Sequence, residues 1–125
     1  MIKKKVKFSL TSLDYRVFIT LLELEKENLF ARPLGLILIF KGESEYSNIS
    51  TFRTLKNITS KRLSMRMKIL LRKGYLSLKY NSNDGQLYYC LTNLGKLTAT
   101  EYKNSHENGF KKYDKIIDSG IAKIQ

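Results

Sequence analysis

The stretch from Thr59 to Leu91 places a capped amphipathic helix directly before a tight β-hairpin, and few folds accept that order. Thr59 can accept a hydrogen bond from a first-turn N–H, and Ile58 before it can staple onto Leu63. Leu63, Met67, Leu70 and Leu71 follow at spacings of four, three and one, which gathers them on one side of a helix. Gly74 stands where such a helix needs a left-handed residue to stop. Leu76-Ser77-Leu78-Lys79-Tyr80 then alternates with period two. Asn81-Ser82-Asn83-Asp84-Gly85 reads as a turn with an Asp-Gly hairpin signal, and Gln86 to Leu91 alternates again with Leu87, Tyr89 and Leu91 on one side.

The flanking segments are punctuated as clearly. Thr11 can cap a helix, Asp14 three residues on completes a capping box, and Leu10 can staple onto Tyr15. Leu13, Val17, Leu21 and Leu24 recur at helical spacing, widened by Phe18 and Leu22, which predicts a helix over about 12–28. Pro33 suits the first turn of a second helix. Leu34 to Phe40 is apolar on all sides, consistent with a buried helix or a buried strand. Gly42 to Asn48 is a polar turn region, after which Ser47 or Ser50 can cap a short helix holding Phe52 and Leu55. Downstream, Thr92 can cap a helix running through Leu94, Leu97 and Tyr102, and 104–109 reads as a break. Phe110, Tyr113, Ile117, Ile121 and Ile124 then share one face, a stripe that needs a partner surface.

Helix, short helix, capped helix and hairpin, in that order, predict a winged helix-turn-helix over 48–92, mainly α with a small β-hairpin. With 125 residues and 42% hydrophobic content, one core is expected, so 1–125 is read as a single winged-helix domain preceded by a basic arm over 1–9. The arm carries Lys3, Lys4, Lys5 and Lys7.

Charge narrows the partner. Lys and Arg number 23 against 11 Asp and Glu, a formal net charge of +12, which favours a polyanion: nucleic acid first, an anionic membrane surface second. From Tyr46 to Asn83 there is no acid at all, while Arg53, Lys56, Lys61, Arg62, Arg66, Lys68, Arg72, Lys73 and Lys79 are cationic. Turned at 100° per residue, the capped helix sets Lys61, Met65, Lys68 and Arg72 opposite its leucines, with Arg62 and Ile69 beside them. Such a face fits a major groove. Ser60, Lys61, Arg62 and Met65 would approach base edges, Arg62 pairing with guanine and Met65 touching a thymine methyl. Thr59, Lys68 and Arg72 are placed for phosphate, and Ser64 completes the helix set. Lys79, Asn81 and Asn83 on the wing could reach an adjacent minor groove or its backbone. A membrane role ranks last, because these charges lie opposite a globular core rather than along a free amphipathic helix.

Other chemistry is not indicated. Cys90 is the sole cysteine, so neither a disulfide framework nor a paired-thiolate metal site is expected, and an inert thiol in a reducing compartment is. His106 stands alone in the polar break, and Glu23 and Glu27 read as a solvated helix face. No phosphate-cradling glycine loop, nucleophile–base pair or metal cluster is present, so no enzyme, metal or cofactor is expected. No polar cluster marks a small-molecule effector site. The start of the chain lacks the apolar run of a signal peptide, and Leu36 to Phe40 is far too short to span a bilayer, so a cytoplasmic protein is expected.

Leu63-Ser64-Met65-Arg66-Met67-Lys68, then Leu70-Leu71-Arg72-Lys73-Gly74-Tyr75-Leu76, then Tyr88 to Leu91 with Leu91-Thr92-Asn93-Leu94-Gly95, resembles the MarR/PadR-like winged-helix transcriptional regulators. In those, the recognition helix ends in a Lys-Gly-Tyr step, the wing follows, and a Leu-Thr step with a nearby glycine opens the next helix. The likeness covers roughly 48–100. It implies a homodimer joined through its first and last helices, over 12–28 and 110–124, with Leu13 and Val17 of the first joining Phe110, Tyr113, Ile117, Ile121 and Ile124 of the last. It also implies transcriptional regulation, as a repressor by occlusion. The chain departs from the MarR branch in lacking its acidic and arginine wing signature. Two alternatives therefore stand beside this reading: a plasmid or viral centromere- or origin-binding or architectural DNA-coating protein, and a protein–protein adaptor using a winged helix.

Overall fold

Thr11 and Asp14 open the first helix by a reciprocal exchange. The Asp14 N–H donates to Thr11 Oγ1 at 3.3 Å, and the Thr11 N–H donates to Asp14 Oδ2 at 2.8 Å. The computed structural model describes residues 8–49, 55 and 57–105. In chain order these form α1 (Ser12–Lys26), α2 (Pro33–Phe40), a 3-10 turn (Ser47–Ile49), α3 (Ser60–Arg72), β1 (Leu76–Asn81), β2 (Gln86–Leu91) and a helix α4 over 93–105. The basic residues at 3–7, the short helix expected around Phe52, and the stripe from Phe110 to Ile124 lie outside the described residues.

Three of the helices stop by one device. After α1, α2 and α3 the chain turns through Asn28, Gly42 and Gly74, with φ of 59°, 76° and 84°. In each case the next two N–H groups reach back to the last free carbonyls, as Gly74 N to Leu71 O at 3.2 Å and Tyr75 N to Leu70 O at 3.0 Å. Asn28 does this for α1, so that helix ends slightly before the expected boundary at 28. The segment from Leu34 to Phe40 is a helix. Pro33 starts it, Leu36, Ile37, Ile39 and Phe40 are buried, and Leu34 and Leu38 are exposed.

The core gathers around α1. Phe18, Leu21 and Leu24 meet Leu36 and Phe40 of α2, Leu63, Met67 and Leu70 of α3, and Leu76 and Leu91 at the base of the hairpin. Here one expectation is corrected. Leu13 and Val17, expected at a dimer surface, are 8% and 0% exposed, so both side chains are taken up almost entirely by the chain's own core. Both belong to the single core cluster shared with α2, α3 and the hairpin.

β1 and β2 pair antiparallel from Leu76 opposite Leu91 to Asn81 opposite Gln86. A bridge between Ala31 and Tyr89 adds a third short contact, with Tyr89 N donating to Ala31 O at 2.9 Å. Thr92 caps α4 by accepting from Gly95 N at 3.1 Å, and its hydroxyl donates to Gly74 O at 2.6 Å. α4 returns along α1, where Tyr102 stacks on Tyr15 at 4.1 Å and Lys103 pairs with Glu23 at 2.6 Å. Helices packed behind α3 and a two-stranded hairpin after it make this a winged helix-turn-helix fold.

Candidate nucleic-acid interface

α3 divides cleanly into a buried and an outer side. Leu63, Met67 and Leu70 are fully buried, while Lys61, Arg62, Met65, Lys68 and Arg72 face solvent. Met65 is 56% exposed, a large apolar side chain held out among cations. The helix carries no acid, and none of the ion pairs among the described residues involves Lys61, Arg62, Lys68 or Arg72. These charges therefore stand in solvent without an acidic partner among the described residues. Thr59 and Ser60 are exposed at the N-terminus, where the Thr59 hydroxyl is already engaged by Arg62 N at 3.2 Å; Ser64 is half-buried at the flank. Sequence spacing thus places the expected recognition residues on one solvent-facing side, Ser64 at its margin.

Arg66 behaves differently from its neighbours. Its Nε and Nη2 each lie 2.6 Å from a carboxylate oxygen of Asp14, which is itself 0% exposed. Nη2 also donates to Ser9 O at 3.2 Å, and the Phe8 ring covers the guanidinium at 5.2 Å. Hydrogen bonding to Asp14 raises the Arg66 pKa further above its ordinary value, so the charge is permanent and internally balanced. One of the cations of the acid-free block is thus a strut, and sequence reasoning did not separate it from the others. Its partner Asp14 lies 52 positions away, and nothing local to α3 marks Arg66 apart from the other cations.

Between α1 and the N-terminal half of α3 runs a groove of about 480 Å³, bordered by Thr11, Leu13, Lys61, Arg62, Met65 and Ile69. Its floor is mostly apolar and its rim basic.

The wing is less basic than its sequence suggested. Lys79 is exposed, but its ammonium sits 4.2 Å from the Phe30 ring centroid. Asn81 Oδ1 accepts from Asn83 N at 3.0 Å, which commits that side chain to the turn. Asn83 is exposed at the tip. Beside it, Asp84 accepts from Gln86 N at 2.9 Å and from the Tyr88 hydroxyl. The Tyr88 hydrogen bond holds the Asp84 pKa below its ordinary value and pushes the Tyr88 phenol up. A carboxylate thus stands at the wing tip, and Arg32 braces the strand behind it through Gln86 at 3.0 Å. Glu25 secures the other end of β2, accepting from Leu91 N at 3.3 Å.

The thiol of Cys90 is half-buried against the Ser77 hydroxyl at 3.0 Å. Among the described residues no group of three or more His, Cys, Asp or Glu could hold a metal ion, and no helix is long and apolar enough to cross a membrane.

No protein-family model matches the chain, and no curated protein matches it. Among solved structures the chain is similar to two crystal structures of the adhesin competence repressor from Streptococcus pyogenes. For the C-terminally His-tagged form the identity is 21% and the TM-score 0.43, over 86% of this chain and 79% of that one. For the other form the identity is 17% and the TM-score 0.43, over 88% and 83%.

Proposed function

We propose that this chain binds double-stranded DNA through the outer side of α3 and acts as a homodimeric, sequence-specific transcriptional regulator that represses by occupying its site. The observation that carries the reading is the acid-free outer side of α3, where Lys61, Arg62, Lys68 and Arg72 surround an exposed Met65. A thirteen-residue helix is about 20 Å long and fits a major groove about 12 Å wide. Arg62 and Lys61 near its start would meet base edges, with guanine O6 and N7 the natural acceptors. Met65 would pack on a thymine methyl, and Lys68 and Arg72 would neutralise phosphates. The wing contributes less, through Asn83 and the stem of Lys79, because Asp84 repels the backbone.

Two copies would read half-sites about one helical turn apart. Leu94 and Leu97 support the pairing: they are 46% and 57% exposed on α4, whose other side, with Gly95 and Ala99, is buried. A gel-shift series across salt tests the reading. Duplex affinity should fall steeply as salt rises, and selected fragments should share a repeated or palindromic half-site. No duplex binding, or binding indifferent to salt, would overturn it.

A further inference from the structure

A groove of about 550 Å³ runs along α2, between the turn that leads into that helix and the tip of the wing. Phe30 before α2, Leu34 and Leu38 on it, Tyr46 after it and Tyr88 of β2 stand in its wall. Leu34, Leu38 and Tyr46 remain 54%, 37% and 38% exposed, so nothing among the described residues covers them. The volume falls within the range of about 300–1,000 Å³ common to small-molecule sites. Gly35, in the same wall, has no structural need to be glycine. Its φ is not positive, and a Cβ there would meet only the Ala31 Cβ, at 4.0 Å, among the described residues. A glycine inside a helix costs up to about 1 kcal/mol against alanine, so the groove is kept open at the expense of α2.

The groove also leans against the charge of the chain. Between Glu45 and Glu101 the sequence has a single acid, Asp84, and it stands in this wall. The Tyr88 hydroxyl donates to it and favours its ionised form. Glu43 and Glu45 flank Ser44 of the wall in sequence, and both are exposed. Two cations are near, and both are engaged. Arg32 Nη1 donates to Gln86 Oε1 at 3.0 Å, and the Lys79 ammonium lies 4.2 Å from the Phe30 ring centroid. The Lys79 contact is itself a positive charge drawn to an aromatic ring of this wall.

We infer that this groove binds a small lipophilic cation. The rings of Phe30, Tyr46 and Tyr88 and the leucines of α2 hold its apolar body, Gly35 admits it to the helix backbone, and Asp84 faces its charge. Aromatic faces and a carboxylate attract a cation and repel an anion of the same shape. The site needs no duplex and goes beyond the DNA-binding reading.

The test titrates the full chain by calorimetry, in sodium buffer, with two probes of one shape and opposite charge, tetraphenylphosphonium and tetraphenylborate. Tetraphenylphosphonium should bind about tenfold more tightly, although the net charge of +12 favours the anion. Asp84→Asn should weaken its binding about threefold to fivefold, the worth of an exposed ion pair. Gly35→Leu should abolish it while melting no lower than the parent. Gly35→Ala, whose Cβ has room, should also melt no lower and should weaken binding about threefold or more. No binding of the cation by the parent, equal binding of the two probes, or cation binding undiminished in the Gly35 variants each overturns the inference. If Gly35→Leu instead alters the association state in sedimentation, the groove is an interface between copies and the inference is wrong. None of these outcomes bears on duplex binding, which the salt series tests separately.

Discussion

Arg66 grips Asp14 with one edge of its guanidinium, Nε to Oδ1 and Nη2 to Oδ2 at 2.6 Å each, across 52 positions of sequence. The pair joins the capped end of α1 to the middle of α3 and fixes how α3 is rolled about its own axis. With Arg66 turned inward, Met65, one position and 100° away, is turned out. Removing Arg66 leaves a fully buried carboxylate without its cation, so Arg66→Ala should cost about 3 kcal/mol or more in urea unfolding. Lysine should restore little, because the bidentate geometry is lost. Arg72→Ala, on the outer side of the same helix, should stay within about 0.5 kcal/mol. Equal costs for the two would show that the strut does not hold the helix.

The outer cations should separate by role. Arg62→Ala should weaken the best duplex by about 1–3 kcal/mol and relax discrimination at one base pair. Lys68→Ala should weaken every duplex alike and lower the salt slope by about 1. Quantitative gel shifts on matched and mismatched sites tell the two apart, and loss of discrimination in Lys68→Ala would reverse the assignment.

Asp84 makes a testable pair with Tyr88. The hydrogen bond between them raises the Tyr88 pKa, so Asp84→Asn should bring the phenol back toward the ordinary tyrosine value in an ultraviolet titration. The same substitution removes a negative charge from the wing tip and should tighten binding to any duplex at low salt. Weaker binding would mean that the carboxylate orders the wing for contact rather than opposing it.

Two glutamates of α1 titrate in opposite senses. Burial raises the Glu25 pKa above 4.5, outweighing the Leu91 N–H it accepts. Its contribution to stability is therefore present below about 4.5 and is lost as pH rises through the raised folded value. Burial also acts on Glu23, but hydrogen bonds from Lys103 and Lys26 prevail and lower its pKa. Its contribution is present above 4.5 and is lost as pH falls through the lowered folded value. Between acid and neutral pH, Glu25→Gln should thus gain stability relative to the parent as pH rises, and Glu23→Gln should lose it. Parallel curves for both variants in denaturant melts across pH would refute this.

Much of the fold was legible because its signals are local. Thr11, Thr59 and Thr92 act as caps, Gly74 stops α3, and the alternation around Asp84-Gly85 sets the hairpin, each within a few residues. Legibility ended where the deciding contact is distant. Leu34 to Phe40 could not be resolved by pattern, because its buried side faces two other helices and its exposed residues are leucines as well. Arg66 looked like Arg62 and Arg72 until Asp14 came to it from α1. Leu13 and Val17 were expected at a dimer surface, and the tertiary packing instead buries them in the core. In the wing, Lys79 and Asn81 are engaged by Phe30 and the turn itself, which residue type alone does not reveal.

Gly95 permits the tightest backbone approach described. A Cβ there would stand 2.2 Å from the Tyr75 carbonyl oxygen, so Gly95→Ala should cost about 1–3 kcal/mol by forcing α4 away from the end of α3. A melt matching the parent would show that α4 accommodates the methyl group by shifting freely.

That same seam has a mechanical meaning. Thr92 N holds Tyr75 O at 3.2 Å, the Thr92 hydroxyl holds Gly74 O, and Gly95 leaves no gap between them. α3 and α4 are thereby riveted end to start, and on the proposed reading they would act together as one lever. In a dimer built on α4, the distance between the two reading heads is set by the angle at which the levers cross. If that dimer binds DNA as proposed, a substitution acting far out on α4 would reach it as a change of stride between half-sites, with each head's own grip on its groove unaltered.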